Sequence, residues 1–304
     1  MNIREFATGL RFPEGPVAMD DGSVIVVEIA AGRITRIKPD GKKKVVAETG
    51  GGPNGLAIGP DGALYVCNNG DNFTYTRRSG LTVPGHAPKH HRGGRIERVN
   101  LSTGKVEVVY DRFEGQRLMA PNDIVFDKAG GFWFTDHGTT TDKFRTHGAL
   151  YYAMANGSRI RRIRHELITP NGVGLSPDGK TVYYAETFTG RLWALHLHKP
   201  GNPEPVTGFT PGTFVGAYPG IAYFDSLGVQ ADGQVCVATI LAGGITTFDP
   251  VNGKTSHWAY GDPLVTNICW GGKDMKTAYI TASGTGKLLA VDWPKPGLRL
   301  NYNA

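Results

Sequence analysis

Six recurrences of one pattern predict an all-β protein, a six-bladed β-propeller with four-stranded blades. Each recurrence is a short apolar run, a tight turn rich in Asp and Gly, and a second apolar run, which together read as a hairpin. A third strand candidate follows each hairpin, and no stretch of useful length carries helical periodicity.

The first unit runs "PVAM", "MDDGS", "VIVVE", then "GRITRIKP" and "GKKKVVAE". The second runs "GLAI", "GPDGA", "LYVCN", "GGRIERVN" and "GKVEVVYD". It is longer than the others by a segment from about Asn69 to Arg92. "DIVF", "DKAGG", "FWFTD" and "GALYYAM" make the third unit; "GVGL", "SPDGK", "VYYAE" and "GRLWALHL" make the fourth. The fifth has "SLGV", "QADGQ", "VCVAT", "GGITTFDP" and "GKTSHWAY". The sixth has "ICW", "GGKDM", "AYITA" and "GKLLAVDW", with no evident fourth strand. The N-terminal "NIREFAT" is a strand without a unit. Pairing it with the last blade closes the ring and removes an exposed edge. Residues 1–304 are expected to form one propeller domain.

With charged residues at 20% and 43 glycines, the chain fits neither a coiled coil nor a disordered segment. The net charge of +6 sits in turn-like places such as "KPDGKKK" and in "TRRSGLTVPGHAPKHHRGGR". A basic stripe with interleaved aromatics is missing, so no nucleic-acid partner is expected. No apolar run approaches the roughly 20 residues that cross a membrane, and the N-terminal stretch lacks the apolar core of a signal peptide. Cys67, Cys236 and Cys269 are far apart and form no CxxC. That pattern suggests a reducing compartment, the cytoplasm. Nothing in the sequence bears on oligomeric state.

The register of the repeats singles out one position. Seven residues before the turn position in each unit stand Glu14, Asn54, Asn122, Asn171, Asp225 and Asn267. The first strand of a propeller blade lines the central channel, so these six side chains are expected to face one point. Two are carboxylates and four are amides with carbonyl oxygens. Converging carboxylates repel unless a positive charge lies between them. A divalent cation with oxygen ligands fits, calcium first, since it accepts about 6–8 oxygens in tolerant geometry; zinc and manganese are the alternatives. Asn or Asp satisfying backbone groups near turns would explain one or two blades, but neither Glu14 nor six polar residues at one register.

"FPEGP", "APND", "TPNGVGLSPDG", "YYAETFTGRLW" and "FDSLGVQADG" together resemble the family of senescence marker protein (regucalcin), gluconolactonase and luciferin-regenerating enzyme. The resemblance covers nearly the whole chain. It implies a six-bladed propeller with a divalent metal in the central channel. By motif, the metal ligands it implies are Glu14, Asn122, Asn171 and Asp225. Asn54 and Asn267 fall to substrate or metal-bound water, with Asn122 also within reach of substrate. In the third unit this chain has "TDHGTT" where many members have Asp-Pro before a Gly. His137 is thereby placed near the channel mouth as a substrate residue, a departure that weighs against sugar-lactone specificity.

The expected activity is metal-dependent hydrolysis of a small-molecule lactone. A bound metal would act as a Lewis acid on the lactone carbonyl, and Asp225 is the candidate base or nucleophile. Asp136, His137 and Glu186 end second strands and are further candidates for the same face. His86, His90 and His91 lie in the insertion, a candidate lid. Tyr75, Phe144, Phe188 and Tyr218 are candidate pocket walls. Two alternatives stand beside this reading: a diisopropylfluorophosphatase-like phosphotriesterase with Asp225 as nucleophile, and a propeller that binds ligand or protein without catalysis.

Overall fold

A computed structural model describes residues 1–206 and 209–303. In five of the predicted turns an Asp carboxylate accepts the amide two residues on, as Asp21 does from Ser23 and Asp178 from Lys180. The third turn has Ala129 at that register, and Asp127, two residues earlier, takes over by accepting the Ala129 amide. Each of these turns joins the innermost strand of a blade to its neighbour.

Blade 1 is Pro13–Ala18, Val24–Glu28, Arg33–Ile37 and Lys43–Glu48. The innermost strands of blades 2 to 6 are Pro53–Ile58, Pro121–Phe126, Pro170–Leu175, Tyr223–Val229 and Val265–Gly271. Each opens an antiparallel meander that runs outward. The fourth blade has a divided outer edge, where both Asn202–Pro203 and Thr213–Ala217 pair with Arg191–Lys199. The sixth takes its fourth strand from the N-terminus, with Ile3–Ala7 on Lys287–Asp292, as the unassigned strand predicted. Among the described residues the chain has one helical turn, the 3₁₀ turn Ile29–Ala31, and no helix long and apolar enough to cross a membrane.

The apolar runs form six clusters, one between each pair of adjacent blades. Val26, Ile37, Tyr279 and Leu288 join blades 6 and 1, and Trp133, Leu150, Tyr184 and Trp193 join blades 3 and 4. Both faces of a second strand are therefore covered, and Val24–Glu28 is buried at every residue. The outermost strand has one free edge, and Lys43–Glu48 is mostly exposed. This arrangement explains why inner strands read as continuous apolar runs and outer ones as mixed.

Candidate functional site in the central channel

Every innermost strand carries a bulge at the polar position singled out above. Pairing shifts register between Glu14 and Val17, Pro53 and Leu56, Pro121 and Ile124, Pro170 and Val173, Phe224 and Leu227, and Val265 and Asn267. A bulge frees one residue from strict alternation and re-aims its side chain. Crowding between neighbouring blades explains the glycine that follows. A Cβ on Gly15 would lie 2.4 Å from the Asn54 carbonyl oxygen, and one on Gly172 2.5 Å from the Leu227 nitrogen. "PNG" is thus a packing motif as well as a ring motif.

Glu14, Asn54, Asn122, Asn171 and Asp225 all line one cavity of about 390 Å³ at the mouth of the channel. Asn267 lies behind them. Its Nδ2 donates to Glu14 Oε2 at 2.6 Å, and its Oδ1 accepts the Ile268 amide. It lines a smaller cavity of about 60 Å³ further along the channel, closed by Leu298 and Leu300 of the C-terminal tail. Asn267 thus orients a ring carboxylate rather than facing the mouth.

Two ring oxygens are fully buried with no partner. Glu14 Oε2 takes the Gly15 and Asn267 donors, but Glu14 Oε1 is buried without one, and so is Asn122 Oδ1. Orphaned buried acceptors carry a desolvation cost that a bound cation or donor relieves. Burial and the nearby Asp225 raise the Glu14 carboxyl well above the usual carboxylate range. Burial also pushes Asp225 up to about 7, against the Asn171 side chain and the Ser226 amide. Among the described residues no three His, Cys, Asp or Glu side chains converge. The donor set is carboxylate and amide oxygen, which suits a hard cation better than a nitrogen- or sulfur-seeking one.

Asp123 completes the polar channel and was not foreseen. Its carboxylate accepts the Ile124 and Val173 amides, tying the innermost strands of blades 3 and 4 together beside Asn122 and Asn171. Burial lifts it to about 7. The signal was the Asp of "PND", where "PNG" has glycine.

The second-strand ends have a different role from the one expected. Asp136 accepts the Met119, Ala120 and Gly138 amides. Glu186 accepts the Ile168 amide, the Thr189 hydroxyl and the Trp193 indole. Both brace the segment entering their own blade and are absent from the mouth cavity. Glu28 does the same for the Arg11 amide. His137 does line the cavity, its ring edge-on to Phe73, and burial lowers it to about 4, so it is neutral at pH 7.

The insertion roofs the cavity. Its hairpin pairs Tyr75–Arg78 with Leu81–Pro84. Tyr75, Val83, Pro84, His86 and Ala87 contribute to the lining. Buried Asn72 fastens it to blade 3, with Nδ2 donating to Gly138 O and Oδ1 accepting from the Thr139 hydroxyl, both at 3.0 Å. The Thr82 amide donates to Gly284 O of blade 6. His86 meets Asp142 on the rim, the His91 ring donates from Nδ1 to the Gly70 carbonyl at the base, and His90 is exposed. Of the other expected walls, Phe188 lines the cavity under Arg145, whereas Phe144 points to solvent at 60% exposure and Tyr218 packs on His257.

A six-bladed propeller with carboxylate and carboxamide oxygens gathered in a roofed channel defines the class of this protein. The chain belongs to the SMP-30/Gluconolactonase/LRE-like family, whose model matches residues 12–284. It is 26% identical to a gluconolactonase of Zymomonas mobilis, over 92% of this chain and 79% of that one. It is 28% identical to the lactonase Drp35 of Staphylococcus haemolyticus, over 78% of this chain and 66% of that one. The fold matches a Xanthomonas campestris gluconolactonase structure with a TM-score of 0.75 at 20% identity, covering 96% and 89% of the two chains. It also matches a calcium-binding regucalcin of Agrobacterium tumefaciens, with a TM-score of 0.70 at 18% identity, covering 97% and 99%.

Proposed function

We propose that the protein is a metal-dependent lactone hydrolase working at the mouth of the propeller channel. One observation carries this reading: Glu14 Oε1 and Asn122 Oδ1 are buried and unpartnered in the same cavity as Asp225 and Asn171. The gluconolactonase and lactonase relatives support the reaction class. Glu14, Asn122, Asn171 and Asp225 would hold a divalent ion, calcium first. Once bound, such an ion supplies Lewis-acid polarisation of an ester carbonyl.

The chain's own groups do the rest. Asp225, half-buried in the cavity beside the ring amides, takes the proton of an attacking water or attacks directly. Asn267 and the Gly15 amide fix the Glu14 carboxylate from behind. Asn171 is oriented through its Nδ2, which donates to the Thr187 hydroxyl at 3.1 Å. Neutral His137 and Asn54 face the substrate as hydrogen-bonding groups, and the hairpin roof sheds bulk water.

The test is a screen of sugar, aliphatic and aromatic lactones after chelation, with calcium, zinc and manganese restored one at a time. Hydrolysis should vanish on chelation and return with calcium. Full activity in the chelated protein would defeat the metal assignment, and no hydrolysis with any ion would defeat the lactonase one.

Hairpin excision gives a further expected result. Removing Thr74–His86 and joining Phe73 to Ala87 through glycines should preserve a cooperative melt and calcium affinity. It should reorder the lactones by kcat/KM, because loops on a rigid scaffold set specificity. An unchanged order would show that the hairpin takes no part in selection.

A further inference from the structure

The mouth cavity has two unlike sides. The ring side presents Asn54, Asn122, Asn171 and the two carboxylates. Beside the ring, an apolar part of the lining is Phe12, Ile29, Tyr75, Val83, Ile240 and Leu264. These six residues come from blade 1, the hairpin, the end of a blade 5 strand and the approach to blade 6. They belong to one apolar cluster that continues into the core between blades 1 and 2. Phe12 and Tyr75 pack with ring centroids 5.1 Å apart.

Of the six, Tyr75 alone carries a polar side-chain atom. Its hydroxyl is buried with no partner. A phenol that is buried usually finds an acceptor. This one stands where the apolar wall meets the ring, in the field of Glu14 and Asp225.

Resting on the lactonase reading, we infer that the substrate is a lactone with an apolar substituent. Its ester oxygens face the ring and the Tyr75 hydroxyl, and its alkyl or aryl group lies on the wall of Phe12, Ile29, Val83, Ile240 and Leu264. A polyhydroxylated lactone fits poorly, because hydroxyls laid on that wall lose their water without gaining partners. An alkyl chain gains there, and each buried methylene is worth roughly a fourfold increase in affinity. The Tyr75 hydroxyl supplies the donor that the ester oxygen would otherwise lose on leaving water.

The experiment compares kcat/KM for δ-valerolactone, δ-decalactone and glucono-δ-lactone with the calcium-loaded protein. δ-Decalactone should exceed δ-valerolactone by at least about tenfold, with glucono-δ-lactone the slowest. Glucono-δ-lactone as the fastest of the three would overturn the inference while leaving the lactonase reading standing. Hydrolysis of none of them, alongside none in the wider panel, would remove both. Val83→Asn should narrow the ratio of δ-decalactone to δ-valerolactone, and an unchanged ratio would overturn the placement of the chain on this wall. Tyr75→Phe keeps the ring against Phe12 and deletes only the donor. It should lose roughly 5–10-fold on both alkyl lactones, with calcium content unchanged and a melting temperature equal to or above wild type. A rate equal to wild type would overturn the donor role.

Discussion

Asp225→Asn is expected to lower kcat/KM by about 10²–10⁴-fold at saturating metal if Asp225 is a general base, and by more if it is the nucleophile. The substitution is close to isosteric. The Ser226 amide, which donates to Asp225 Oδ1 at 3.1 Å, keeps a carbonyl acceptor in Asn. The bulge that aims the side chain should therefore survive, and a ligand oxygen remains for the ion. The basic lone pair and the negative charge are lost. Metal loss would mimic the effect, so bound calcium must be measured in the same samples. A fully loaded variant with near wild-type turnover would make Asp225 a ligand only. Asp136 and Glu186 are saturated by their braces, so the base would then be sought at His137. Single turnover in oxygen-18 water separates the two roles. Label in the Asp225 carboxyl marks attack by Asp225, because a water attacking the lactone directly leaves that carboxyl unlabelled.

Glu14→Gln is expected to weaken calcium binding by on the order of 10²-fold or more, since ligand charge count tunes calcium affinity over several decades. The variant leaves one anion in the ring instead of two. Unchanged calcium content would sink the assignment of Glu14. The metal-free protein offers a second readout. Glu14 is held well above its reference of 4.5, and Asp225 rises from 3.8 to about 7. A carboxylate with a raised folded pKa binds more protons folded than unfolded. Its stabilising contribution is complete below the unfolded pKa and lost as pH rises through the folded one. The chelated wild type should therefore lose stability between about pH 4 and 7. Glu14→Gln should flatten that slope and raise the melting temperature at pH 7. Calorimetry in chelator that finds the same slope in both proteins would count against a buried carboxylate at position 14 with one oxygen left unpartnered.

The ring was legible because a propeller turns sequence register into geometry. Six equivalent positions in six units point to one axis, and counting back from the turns finds them even where the turn residue changes from Asp to Ala129. The closing strand was legible because "NIREFAT" had no unit and the sixth unit lacked an outer strand. The division of the ring was not. Asn267 has the same register as Asn54, yet its amide is spent on Glu14. Asp123 stands where "PNG" has glycine, and its two backbone bonds run to its own strand and to the next blade.

Sequence alone determined the blade count, the closure, the family motifs and the six residues that meet in the channel, because each follows from a local period repeated six times. Tertiary structure decided what no period encodes. It assigned Asp136 and Glu186 to bracing backbone amides, because only the folded loops bring those donors to them. It brought Phe12, Tyr75, Val83, Ile240 and Leu264, distant in the chain, into one apolar wall. It also left Glu14 Oε1, Asn122 Oδ1 and the Tyr75 hydroxyl buried without partners. Whether a polar atom is satisfied depends on every segment packed around it, so that property belongs to the fold and not to any motif.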